Sequence, residues 1–114
     1  MLLSARYDLA ALSLGEILAL SPERFAEIFR HTPIKRLKLT GLLRNACVVA
    51  GNVGDASHSP QLVALASTHA SALVRAHAVW AVFRLHGGES LAAAARRETD
   101  PIVRAEFSAE TGAA

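Results

Sequence analysis

The residues of this chain whose type and spacing suggest chemistry are basic. Lys35, Arg36 and Lys38 sit just after a Thr32-Pro33 pair, and Arg44 and Asn45 follow in the same stretch, TPIKRLKLTGLLRNACVVAGNVGD. From residue 28 to 54 the chain carries five bases (Arg30, Lys35, Arg36, Lys38 and Arg44) and no acid. The rest of the molecule holds seven bases against ten acids. A local charge of +5 on a body of −3 points to a polyanion or an acidic protein surface as partner. Phosphates of a nucleic acid fit, because neutralising several of them releases counterions. Cations in the first turn of a helix oppose its dipole, so helix stability does not explain them. A solvated charged face is the plain alternative.

The other reactive side chains compose no active site. Cys47 is the single cysteine. It has no disulfide partner, cannot hold a zinc or iron–sulfur site alone, and lies among apolar residues as a buried thiol would. His31, His58, His69, His77 and His86 show no metal-ligand spacing with one another or with Cys47. His77 reads as a core or inter-helix histidine and Trp80 as a core residue. No serine lies in a nucleophile motif. GNVGD (51–55) lacks the Gly-Lys-Ser/Thr ending of a phosphate loop and follows a helix, not a strand. A helical-repeat DNA glycosylase is disfavoured, since no carboxylate is placed among base-contacting aromatics.

The elements that must position the basic residues are helices. The composition is 52% hydrophobic with few aromatics, and alanine and leucine are strong helix formers. All four prolines follow a capping residue: Ser21-Pro22, Thr32-Pro33, Ser59-Pro60 and Asp100-Pro101. A cap oxygen followed by proline at the first helical position marks a helix start. The second start predicts a long helix over Pro33–Ala50, with Leu39, Leu42, Leu43, Ala46 and Ala50 inward and Gly51 and Gly54 ending it. The segment from Ala70 to Gly88 is apolar nearly all round, which predicts a central helix. Residues 1–19 read as a lead-in with a weak helix and 20–114 as the repeat domain.

LLRNACVVAGN (42–52), LVRAHAVWAVF (73–83) and IVRAEFSAE (102–110) align without gaps, which puts Arg44, Arg75 and Arg104 at one repeat position. Each copy is the second helix of a pair. One pair cannot bury its apolar face alone, so the expected fold is all-α, a HEAT-like α-solenoid of about three helical pairs. Arginines at this position would tie neighbouring repeats together, with Arg44 open to either that role or the basic cluster. Glu106, aligned with His77 and Ala46, suits a terminal repeat facing water. The start of the chain does not read as a signal peptide, and no apolar run approaches a membrane span. With one cysteine, the expected location is cytoplasmic.

The run from about Leu18 to Arg84, most specifically Thr32–Arg36, Gly41–Ala46 and Gly51–Asp55, resembles the C-terminal HEAT-like region of epoxyqueuosine reductase. That family completes queuosine synthesis in tRNA. The resemblance implies a non-catalytic module that contacts tRNA through Lys35, Arg36, Lys38, Arg44 and Asn45. The family is an oxidoreductase using cobalamin and two 4Fe-4S clusters, held by domains N-terminal to this region. No such cofactor is expected in this chain, so no catalytic residue is carried over. Leu39 and Thr40 stand where the family often has further basic residues. The alternative function is a scaffold that docks an acidic partner or the catalytic domains.

Overall fold

The computed structural model describes residues 13–30 and 38–112; these residues form seven α-helices and no strand. Helix α1 (Leu14–Leu18) opens with a reciprocal cap: Ser13 Oγ accepts from Glu16 N at 3.1 Å, and Ser13 N donates to the Glu16 carboxylate at 3.0 Å. This S-x-x-E signature satisfies two free backbone donors. Helix α2 (Pro22–Phe29) starts at the expected Ser21-Pro22 pair, with Ser21 Oγ accepting from Arg24 N. Phe25 and Phe29 meet on its buried side with ring centroids 4.9 Å apart and planes tilted by 52°.

Helix α3 (Leu39–Val53) departs from the expected bounds at both ends. Its N-cap is Lys38, in extended backbone and without a side-chain cap, so the helix does not run back through Lys38 to Pro33. It begins where its apolar face begins, since Leu39 packs with Leu42 against Leu20, Phe25 and Phe29. The Thr32-Pro33 start lies outside the described residues. At the other end Gly51 is inside the helix, and Gly54 alone terminates it at φ 78°. That is the left-handed region glycine adopts without cost.

A 3-10 turn (Ala56–His58) leads into α4 (Ser59–Thr68). Ser59 is therefore the first residue of α4 rather than its cap. Asp55 caps the preceding turn, its carboxylate accepting from Ser57 N at 2.9 Å. Helix α5 (Ala72–His86), capped by Ser71 and stopped by Gly87 at φ 86°, has the predicted central place. It packs against α3, α4 and the last helix, and buries Val74, Ala76, Ala78, Val79, Ala81 and Val82. A second 3-10 turn (Glu89–Leu91) precedes α6 (Ala92–Arg97), and Asp100 caps α7 (Pro101–Thr111) as expected.

Specific contacts fix the directions. Gly51 near the end of α3 lies against Trp80 in the second half of α5, and Phe83 meets Phe107 edge-on at 6.4 Å in the second halves of α5 and α7. Helices α3, α5 and α7 thus run parallel. His86, at the end of α5, bonds Ser59 Oγ at the start of α4 at 3.0 Å, so α4 runs antiparallel to α5. The aligned residues Leu43, Val74 and Val103 are each fully buried. Burial of each such side chain stabilises by roughly 1.5–3 kcal/mol. Leu18 of α1 also enters the main core, with Cys47, Leu62 and Leu91. No helix among the described residues is long and apolar enough to cross a membrane.

Candidate nucleic-acid interface

Because α3, α5 and α7 are parallel, their N-terminal ends share one edge of the molecule. Unpaired N–H groups at such ends carry partial positive charge. Of the five residues read as phosphate contacts, Lys35 and Arg36 lie outside the described residues. Lys38 is exposed at the N-cap of α3, its carbonyl accepting from Leu42 N at 3.1 Å. Asn45 is exposed two turns further on, on the same strip of the helix. Arg44 is half-buried in the second turn. The structure thus brings Lys38, Arg44 and Asn45 to the first two turns of one helix.

The three repeat arginines part company in their bonding. Arg75 grips Glu98 with two prongs, Nε to Oε1 at 2.9 Å and Nη2 to Oε2 at 3.1 Å. Its Nη1 also donates to the carbonyls of His69 at 2.8 Å and Ala70 at 3.1 Å. Glu98 in turn accepts from the backbone N–H groups of Thr99 and Asp100. Arg75 therefore joins the α4–α5 connection to the α6–α7 connection, the structural role expected for a repeat arginine. Its guanidinium holds the Glu98 carboxyl below the usual range. Among the described residues, neither Arg44 nor Arg104 makes a hydrogen bond or ion pair to another side chain. Arg104 is exposed; Arg44 has donors free although half-buried.

The edge continues past Arg75. Arg97 lines a polar hollow of about 270 Å³ with Ser67, Thr68, His69 and the paired Arg75 and Glu98. His69 accepts from Ser71 N through Nδ1 at 3.0 Å, and burial and Arg75 depress its basicity. It serves as a neutral acceptor there and adds no charge to the edge.

A second feature was not legible as a site. A groove of about 390 Å³ lies over α3, α5 and α7, lined by Val48, Asn52, Leu73, Ala76, His77, Trp80, Ile102 and Glu106. Leu73 and Ile102, equivalent in the repeat, are 40% and 59% exposed on its walls. Trp80 is only partly buried, so it is a groove residue as well as a packing one. Arg84 lies over its ring at 5.4 Å. His77 Nδ1 is 2.8 Å from the Leu73 carbonyl. Glu106, aligned with His77, is pushed up to about 7 by burial and by its neighbour Glu110. The available signal was the alignment itself, which put Leu73 with Ile102 and His77 with Glu106 on adjacent helices.

The residues present do not fit an iron–sulfur cluster. Cys47, the single cysteine, is fully buried, and burial pushes its thiol up to about 12. Among the described residues no group of three or more His, Cys, Asp or Glu is arranged to hold a metal ion. Comparison with protein-family models, curated proteins and solved structures finds no match.

Proposed function

We propose that this chain is a non-catalytic HEAT-like solenoid of about three helical pairs that binds tRNA phosphates along the N-terminal edge of its second helices. In this reading it is the C-terminal part of an epoxyqueuosine reductase-like protein, whose cobalamin and iron–sulfur clusters would belong to preceding domains. The observation that carries the reading is Arg44. It occupies the position at which Arg75 is saturated by Glu98 and two carbonyls, yet its own donors are free among the described residues. A partly desolvated guanidinium with open donors, in the second turn of a helix whose N-cap is the exposed Lys38, is suited to a phosphate. Lys35, Arg36 and Asn45 complete the proposed contact set.

Filter binding of tRNA at low salt tests this. Wild-type protein should retain tRNA, and replacing Lys35, Arg36 and Lys38 together by alanine should weaken retention. No retention by the wild type would refute it.

A second reading, a scaffold that docks protein, is favoured by the exposed Leu73 and Ile102 of the groove and by Val49 and Val53 on α3. Exposed apolar clusters of this kind mark interaction surfaces. Pull-down of separately expressed catalytic domains, with Leu73→Asp as the disabled control, separates it from the tRNA reading.

A further inference from the structure

We propose that the groove over α3, α5 and α7 takes a single unstacked nucleobase carrying an exocyclic amino group, with its ring between apolar walls and its polar edge against Asn52, His77 and Glu106. The proposal rests on the nucleic-acid reading only for the source of that base.

Size and chemistry both point this way. The volume, about 390 Å³, is at the small end for ligand sites, which are mostly apolar with a few convergent polar groups. Leu73, Ala76, Trp80 and Ile102 supply the apolar and aromatic surface. Three polar side chains, one from each helix, supply the edge. The contact between His77 Nδ1 and the Leu73 carbonyl places the ring proton on Nδ1, because a carbonyl can only accept. That leaves Nε2 as an acceptor. Glu106 adds a carboxyl that is acceptor-only once ionised, above about pH 7, and Asn52 adds an amide that both donates and accepts. Acceptors therefore predominate, so the matching edge is one rich in N–H donors. Adenine, cytosine and guanine have an exocyclic amine; uracil does not. Bases held by stacking and read along their hydrogen-bonding edges are the usual targets in single-stranded RNA. Arg44 stands one turn before Val48 on the same strip of α3, so a phosphate at Arg44 and a base in the groove are compatible with one strand.

Trp80 is the single tryptophan, so one indole N–H cross-peak in a nitrogen-15 correlation spectrum reports the groove. Titration of the full chain at mildly alkaline pH, where Glu106 is ionised, with adenosine, cytidine, guanosine and uridine should move that peak saturably for the first three. Uridine should bind about tenfold more weakly. Glu106→Gln, which keeps the shape and adds a donor, should bring uridine to within about twofold of adenosine. Asn52→Ala should weaken all four with the spectrum otherwise unchanged. A peak unmoved by every nucleoside at millimolar concentration, or moved equally by uridine and adenosine, would overturn the proposal. Free nucleosides carry no phosphate. Loss of tRNA retention with nucleoside binding intact would therefore count against the phosphate edge and leave the groove standing.

Discussion

Arg75 and Glu98 form a two-pronged ion pair, at 2.9 and 3.1 Å, that fastens α5 to the turn before α7. Glu98→Ala should lower stability by about 2 kcal/mol, as expected for hydrogen bonds to a charged group that is mostly buried. Urea unfolding at neutral pH measures this. The folded pKa of Glu98 is lowered, so its contribution is fully present above the ordinary carboxylate value and is lost as pH falls from there through the lower folded value. The variant should accordingly show less loss of stability on acidification than the wild type.

Gly51 is a packing residue. A β-carbon there would lie 2.6 Å from Trp80 Cζ3, a distance at which the indole must move. Gly51→Ala gains about 1 kcal/mol of helix propensity but overpacks the α3–α5 contact at a cost of about 1–3 kcal/mol. The expected result is a net loss of stability in urea and a displaced Trp80 indole cross-peak.

Glu106 predicts a pH dependence of the opposite sign to Glu98. Its folded pKa of about 7 is above the ordinary glutamate value of 4.5, so the folded state binds its proton more tightly than the unfolded state. The resulting stabilisation is full below the ordinary value and is lost as pH rises through about 7. Burial and then Glu110 on the same helix raise that pKa; His77 lines the same groove from α5. Glu106→Gln should flatten the decline in melting temperature between mildly acidic and mildly alkaline pH. An unchanged profile would mean that Glu106 is not desolvated in the folded protein.

The helical order was legible because its signals are local. Ser21 and Asp100 cap as their Ser-Pro and Asp-Pro pairs predict, and the all-round apolar pattern after Ala70 does mark the central helix. Ser59-Pro60 marks a helix start to within one residue, but Ser59 does not cap it: the Asp55 carboxylate accepts from Ser57 N at the preceding 3-10 turn, and Ser59 bonds His86 instead. Gly51 read as a stop because the same residue type ends helices and permits close helix contact. Only the partner, Trp80, distinguishes the two. The groove was not legible because its residues come from three helices about thirty positions apart, and each reads alone as an ordinary half-apolar surface. Of the basic cluster, a helix expected from Pro33 puts Lys38 inside its first turns and Arg44 and Asn45 in its second half, whereas the helix starts at Leu39 and leaves those two in its first two turns; nor does the sequence reveal that Arg44 lacks the carboxylate that Arg75 has.

The proposed phosphate edge is tested most directly by the salt dependence of tRNA binding to wild-type protein and to Arg44→Ala. Affinity should fall steeply with salt for the wild type. The Arg44→Ala line should lie lower, with a log–log slope shallower by about one. Binding that is insensitive to salt, or a slope unchanged by Arg44→Ala, would contradict the account.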